Sequence, residues 1–125
     1  MVPSAILIVD DEPNISYALA MVLEDEGHQV HTARNGAEAL TLLEQQAVDL
    51  ILSDVMMPVI DGHKLVEELR RRGDRTPIML MSAATHAVRS IPGVPFLPKP
   101  FDIDDLLAMV TRALADGQAD SGSGR

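Results

Sequence analysis

The sequence predicts an α/β domain built on one doubly wound parallel sheet of five strands. Three observations carry that expectation. Short apolar runs alternate with longer segments of helical periodicity along the chain, an order that gives a parallel sheet with helices on both faces. The runs are rich in Val, Ile and Leu and nearly continuous, as strands buried on both faces are. Four of them end at a polar side chain, namely Asp10 with Asp11, Asp54, Ser82, and Lys99.

Ala5 to Val9 fits a buried first strand and ends on Asp10 and Asp11. Pro13 suits the first turn of a helix, and Glu12 beside it complements the positive helix N-terminus. Ile15, Leu19, Val22 and Leu23 recur at helical spacing, and Gly27 closes the helix. Gln29 to Ala33 is short and only partly apolar, which suits an edge strand. Asn35, with Glu38 three positions on, is a capping-box-like start to a second helix holding Ala39, Leu40, Leu42 and Leu43. Val48 to Asp54 is the central strand, stopped by Pro58. Pro58 to Gly62 forms a loop, and a third helix runs from about His63 to Arg72 with Leu65, Val66 and Leu69 inward. Pro77 to Met81 is a fourth strand ending on Ser82, and Pro95 to Leu97 a very short fifth ending on Pro98, Lys99 and Pro100. Asp102 and Asp105 start the last helix, where Leu106, Leu107, Val110 and Leu114 make an apolar stripe. Residues 1–116 are expected to form the domain, and 117–125, rich in Gly, Ser and Asp, a flexible tail or linker stub. With right-handed crossovers, the doubly wound form this length allows is the flavodoxin-like order 2-1-3-4-5.

A chain of 125 residues, 46% apolar, buries a core without staples. The absence of cysteine removes disulfides, thiolate metal sites and thiol nucleophiles. A net charge of −9 argues against a nucleic-acid surface, which needs clustered cations. The one basic cluster, Arg70, Arg71, Arg72 and Arg75, closes a helix whose macrodipole it suits. No apolar run approaches the roughly 20 residues of a membrane helix, and Met1 to Asp11 lacks the basic start of a secretory signal. The expectation is a cytoplasmic domain with neither membrane nor direct nucleic-acid contact. His28, His31, His63 and His86 have no ligand-like spacing and read as surface or structural residues.

In that strand order the first and third strands are neighbours, so Asp10, Asp11 and Asp54 converge at the switch point. Two carboxylates about 5 Å apart repel by about 3 kcal/mol at an effective dielectric of 20. A hard divalent cation relieves the crowding, and Mg²⁺ suits a site with few carboxylates and open positions for water and phosphate. Mg²⁺ and Lys99 would welcome a phosphoryl group beside Asp54, Ser82 would add a hydroxyl donor, and Asp54 attacking phosphorus would give an acyl phosphate. Each residue alone has a plainer reading: helix-start acids at Asp10 and Asp11, a turn former at Asp54, a satisfied strand-end hydroxyl at Ser82, and a solvated loop lysine at Lys99. Their conjunction on one sheet edge favours a site.

Five pieces of sequence, in this order and spacing, are similar to a known family: Ile-Leu-Ile-Val-Asp-Asp-Glu-Pro (6 to 13), Asp-Leu-Ile-Leu-Ser-Asp-Val-Met-Met-Pro (49 to 58), Asp61-Gly62, Met81-Ser82-Ala83 and Leu-Pro-Lys-Pro-Phe (97 to 101). The chain resembles the CheY-like receiver domain of two-component response regulators from roughly Ala5 to Leu114. The resemblance implies that Asp54 accepts a phosphoryl group from a phosphohistidine on a sensor histidine kinase or phosphotransfer protein. It implies that Asp11, Asp54 and the backbone carbonyl of Met56 bind Mg²⁺ directly, with Asp10 acting mostly through water, and that Lys99 and Ser82 contact the phosphoryl group. Ser82 would then move toward the phosphate and Phe96 turn inward, biasing a two-state surface that hydrolysis resets. Such a domain catalyses only its own phosphorylation and dephosphorylation. Its downstream protein or output domain is not specified by these residues, and a homodimer is among the family's arrangements.

One departure stands out. Only 17 positions separate Ser82 from Lys99 (99 − 82), fewer than is usual in the family, and the interval holds Pro92, Gly93 and Pro95. The fourth helix of the family is therefore expected to be a short piece near Thr85 to Ser90, or absent. Among other classes, a phosphohydrolase of the haloacid-dehalogenase type would carry Asp-x-Asp where this chain has adjacent acids. A flavodoxin-like cofactor binder would have a Gly, Ser and Thr rich first loop instead of Asp-Asp-Glu. A degenerate receiver serving as a docking module would lack key positions, and all are present here.

Overall fold

Side chains alternate across a strand, and here the alternation divides the apolar residues into two cores, one on each face of the sheet. The computed structural model describes residues 4–84 and 89–123. Its elements are β1 (Ala5–Val9), α1 (Pro13–Asp25), β2 (Gln29–Ala33), α2 (Gly36–Gln45), β3 (Leu50–Asp54), α3 (Gly62–Arg71), β4 (Ile78–Ser82), β5 (Phe96–Pro98) and α4 (Ile103–Ser123). All strand pairs are parallel, in the order β2-β1-β3-β4-β5. Ile6, Ile8, Leu50, Leu52, Met79 and Met81 meet Leu19 and Leu23 of α1 and Leu106 and Val110 of α4. Leu7, Val9, Ile51, Ile78 and Leu80 meet Ala39 and Leu40 of α2 and Leu65, Val66 and Leu69 of α3. Each fully buried Leu, Ile or Val side chain contributes about 1.5–3 kcal/mol, so these two layers hold the sheet flat against its helices and fix its register.

Local chemistry sets the element ends. The Asn35 side chain accepts the Glu38 N–H at 2.9 Å, capping α2, while Arg34 N–H reaches back to the Glu38 carboxylate at 3.1 Å. Asp61 caps α3 through the Lys64 N–H at 2.8 Å. Gly27, at φ 95, closes α1 as its sequence position predicted. Glu12 stands at the N-cap of α1 with Pro13 in the first turn; its side chain makes no cap bond, and its own N–H donates to Asp10 Oδ1 at 2.9 Å. Ile15 is partly exposed, and the inward stripe of α1 is instead Ser16, Leu19 and Leu23. Arg70 donates to the carbonyls of Asp74 and Thr76 beyond α3, and Arg71 and Arg72 pair with Glu68, so the basic cluster finishes its helix as expected.

The expected short helix near Thr85 to Ser90 falls mainly on 85–88, outside the described residues; the described residues hold four helices. Just after it, Ile91 to Val94 closes a tight turn, with the Val94 N–H donating to the Ile91 carbonyl at 3.0 Å and Gly93 at φ 77. Proline second and a positive-φ glycine third are the type II turn pattern. Helix α4 continues through Ser123, so the backbone stays helical across much of the stretch expected as a tail from 117.

Two positions near the end of β3 are conformationally demanding. A Cβ on Gly62 would meet the Asp54 carbonyl oxygen at 2.7 Å and Val55 Cα at 2.9 Å, both backbone atoms that cannot step aside. Val59, at φ 70, occupies the left-handed region in a three-residue turn closed by Ile60 N–H to the Pro58 carbonyl at 2.8 Å. We expect Gly62→Ala to lower stability by about 1–3 kcal/mol through overpacking. Val59→Gly is expected to raise it by about 1 kcal/mol, the strain of a non-glycine residue in that region. Urea midpoints of the two variants, shifting in opposite directions, are the check.

Candidate functional site

The parallel register brings the C-terminal ends of β1, β3, β4 and β5 to one edge. Val9 pairs with Ser53, Asp54 with Met81, and Ser82 with Pro98, so Asp10, Asp54, Ser82 and Lys99, at or just past the ends of their strands, share this edge. Asp10 leaves β1 buried to 1% exposure, held by its own N–H to the Ala33 carbonyl at 3.1 Å and by Ser16 Oγ donating to its carbonyl at 3.4 Å. Asp54 is the last residue of β3, 8% exposed, and its Oδ1 accepts the Met56 N–H at 3.3 Å. Ser53 is fully buried and donates to the Asp54 carbonyl at 2.9 Å. Asp11 is exposed, yet carboxylate oxygens of Asp10, Asp11 and Asp54 lie within 4.8 Å of one another.

Lys99 reaches this cluster from the end of β5. Its N–H donates to the Ser82 carbonyl at 2.9 Å, extending the ladder by one residue, and its Nζ donates to Asp10 Oδ2 and Asp54 Oδ2, each at 3.2 Å. Burial raises the Asp54 carboxyl above the ordinary aspartate value, and Asp10 adds to the rise; Lys99 and the Met56 N–H oppose it without cancelling it. For Lys99, burial acts downward, but Asp10 and Asp54 together outweigh it and hold the ammonium above its ordinary value. Three acids face one ammonium. The surplus charge, the oxygen-only donor set and the exposed position of Asp11 fit a hard divalent cation that keeps part of its water.

Of the residues singled out from sequence, Asp10, Asp11, Asp54 and Lys99 come together. Ser82 lies at the adjacent strand end, fully buried, with its Oγ accepting the Ala84 N–H at 3.1 Å. Phe96 begins β5 half-buried against the α2–α3 core. Met56 is exposed in the loop that follows Asp54. Sequence reasoning left His63 undistinguished among the histidines. It is buried on the inward side of the first turn of α3, and its Nε2 accepts the Arg89 N–H at 3.0 Å. The signal was present in its spacing, since 63, 66 and 69 follow one another along one helix face.

A family model described as the response regulator receiver domain matches residues 6–111. Response regulator MprA of Mycolicibacterium vanbaalenii is 35% identical over 127 aligned positions, covering 98% of this chain and 55% of that protein. Regulatory protein AtoC of Escherichia coli is 38% identical over 114 positions, covering 87% of this chain and 25% of AtoC. The chain thus spans about half of one relative and a quarter of the other. Among solved structures, response regulator TrrA from Thermotoga maritima, in complex with Mg²⁺-BeF, superposes with a TM-score of 0.80 at 35% identity, covering 88% of this chain and 98% of that one.

Because the ionised Asp54 is disfavoured in the folded domain without a cation, its charge costs stability above its raised folded pKa, and the cost disappears as pH falls below the ordinary value of about 3.9. We therefore expect Asp54→Asn to raise the thermal midpoint in Mg²⁺-free buffer at pH 7, with the gain vanishing by about pH 3.5. Millimolar Mg²⁺ is expected to stabilise the wild type by about 1–3 kcal/mol through mass action and the variant far less. Calorimetry across this pH and Mg²⁺ matrix is the test.

Proposed function

The chain belongs to the response regulator receiver domain family, whose members are phosphoacceptors of two-component signalling, and we propose that its acceptor is Asp54. The observation that carries this reading is Lys99 donating to both Asp10 and Asp54 beside the third acid, Asp11. Receiver domains interact with histidine kinases or phosphotransfer proteins, and a phosphohistidine on such a partner is the proposed donor here. Asp11 and Asp54, with the backbone carbonyl of Met56, would hold Mg²⁺, and Asp10 would act through water. Mg²⁺ bound there supplies charge neutralisation and orientation of phosphoryl oxygens. Support for the ion comes from the surplus of acids and from TrrA, a receiver relative solved with Mg²⁺.

In the transfer, an Asp54 Oδ bonds to phosphorus as the P–N bond of the phosphoimidazole breaks, and the departing imidazole keeps the electron pair and takes up a proton. Lys99 exchanges a carboxylate partner for a phosphoryl oxygen, which costs little because its ammonium is already desolvated and oriented. The Ser82 hydroxyl gives up the Ala84 N–H and donates to another phosphoryl oxygen, and Phe96 turns into the space beside it. Attack of water on phosphorus later restores the carboxylate and releases inorganic phosphate, so the domain resets itself. The state of the surface around Ser82 and Phe96 is the output, read by a downstream protein or an output domain beyond residues 1–116. Among the described residues no helix is long and apolar enough to cross a membrane, and we assign the domain to the cytoplasm. Every acceptor-site position is intact, which leaves the docking-module alternative without an observation in its favour.

Intact mass spectrometry after incubation with acetyl phosphate is expected to show a gain of one phosphoryl group that requires Mg²⁺ and is lost in Asp54→Asn. Lys99→Ala is expected to slow the gain by about 100-fold or more, the scale for removing one preorganised electrostatic group. Phosphorylation persisting in Asp54→Asn would move the acceptor elsewhere.

A further inference from the structure

The loop from Val55 to Asp61 joins the proposed acceptor to α3, and its side chains divide between core and water in a pattern that clamps it. Val55 and Met57 are buried in the α2–α3 core and Ile60 packs on the same core, while Met56 is 54% and Val59 83% exposed. Both ends of the loop are held on β3. The Met56 N–H donates to Asp54 Oδ1 at 3.3 Å, and the Gly62 N–H donates to the Val55 carbonyl at 2.9 Å. Its middle rests on α2. Gly36, the first residue of α2, is buried, and a Cβ there would lie 2.7 Å from Ile60 Cγ2, 2.8 Å from Ile60 Cβ and 2.9 Å from the Ile60 carbonyl oxygen. Ile60 therefore sits in a notch that only glycine leaves open.

Between these anchors the backbone has little freedom. Met57 precedes a proline and is confined to extended conformations, and the ring of Pro58 fixes its φ. Val59, at φ 70, and Ile60 complete the turn that the Ile60 N–H closes on the Pro58 carbonyl at 2.8 Å. A β-branched residue in the left-handed region is strained, and such strain persists only where the surroundings over-determine it. Val59 is too exposed to be held by its own side chain, so the hold comes from Ile60 beside it. Residues 57–60 form a stiff unit, and the peptide that opens this unit carries the Met56 carbonyl. Met57 anchors the same unit, but truncating it would also open a core cavity, which leaves the contact between positions 36 and 60 as the separable probe.

We propose that Ile60 and Gly36 are positioning residues for the cation: seated against Gly36, Ile60 holds residues 57–60 in their strained turn and so sets where the Met56 carbonyl stands before any ion arrives. This rests on the reading above in which that carbonyl is a Mg²⁺ ligand, and adds that α2, which supplies no ligand, tunes the cation site through one contact. Mg²⁺ demands near-ideal octahedral geometry, so a displaced carbonyl costs affinity even where the fold is unharmed. Asp10, Asp11 and Asp54 stand at the ends of β1 and β3, outside this loop, so the charge that attracts the ion stays the same.

The test compares the whole wild-type chain with Gly36→Ala, Ile60→Ala and Ile60→Val. Gly36→Ala puts a methyl group against the Ile60 backbone oxygen, so the loop must shift whatever rotamer Ile60 takes. Ile60→Ala removes the wedge, whereas Ile60→Val keeps the Cγ2 branch that faces Gly36. In Mg²⁺-free buffer, the amide-to-Hα coupling of Val59 reports its φ, and exchange of the Met56 amide reports its bond to Asp54. NMR titration with Mg²⁺ then gives the Kd. Both readouts are taken on fully folded protein, verified by urea titration, so lost stability alone moves neither. In Gly36→Ala and Ile60→Ala the Val59 coupling is expected to change and the Mg²⁺ Kd to rise by about tenfold, the scale for losing a group that orients a metal ligand. Ile60→Val is expected to match the wild type in both. Equal Mg²⁺ affinity in all the proteins, or a Val59 coupling that neither disruptive variant moves, would overturn the positioning role, as would an Ile60→Val as weak as Ile60→Ala. A wild type that binds no Mg²⁺ would instead sink the cation reading on which the proposal rests. Should Gly36→Ala not fold, the contrast between Ile60→Ala and Ile60→Val decides.

Discussion

The contact on which the rest of the site depends is the pair of hydrogen bonds from Lys99 Nζ to Asp10 and Asp54, each at 3.2 Å. Asp10 and Asp54, with oxygens within 4.8 Å, repel by about 3 kcal/mol at an effective dielectric of 20, while each is attracted to the ammonium by about 5 kcal/mol on the same scale. One lysine therefore holds the pair together. It does not also neutralise Asp11, and it does not erase the desolvation of Asp54, whose carboxyl stays raised. The strand ends thus leave the site with a surplus of negative charge, an oxygen donor set that could hold a metal ion.

Everything that positions this contact comes from the two-sided sheet. Lys99 can bridge the two aspartates because the strand carrying Asp54 pairs with both β1 and β4, and because the ladder runs one residue past β5 to the Lys99 N–H. Behind Asp54 the backbone approaches so closely that only glycine fits at position 62, and α3 begins there. The third helix is in this way fastened directly to β3, and the imidazole of His63, its second residue, accepts the Arg89 N–H.

Much of this was legible in the chain itself. Apolar runs located β1, β3, β4 and β5 to within two residues, since burial on both faces demands mostly apolar side chains, while the partly apolar Gln29 to Ala33 was legible as an edge strand. Asn35 and Gly27 marked helix ends because their side chain, or its absence, answers a backbone need that is purely local. Asp10, Asp11, Asp54 and Lys99 could be gathered onto one edge before any coordinates, because strand order follows from connection rules and strand ends follow from the runs. Ile15 went astray for a definite reason. A helical stripe is read to within about one residue, and Ser16 took the inward place because its hydroxyl could bond the Asp10 carbonyl.

The sequence by itself determined the fold class, the identity of the acids and the cation at the sheet edge, and the unusual brevity of the Ser82–Lys99 interval, because each depends on residue type, order and spacing alone. Only the tertiary structure decided that one ammonium is shared by two aspartates, that Val59 bears a left-handed backbone, and that His63 is a buried acceptor for Arg89. Those features join residues distant in the chain or depend on how a loop is closed by its surroundings. Their free energies arise when the elements dock, and no single segment carries them beforehand.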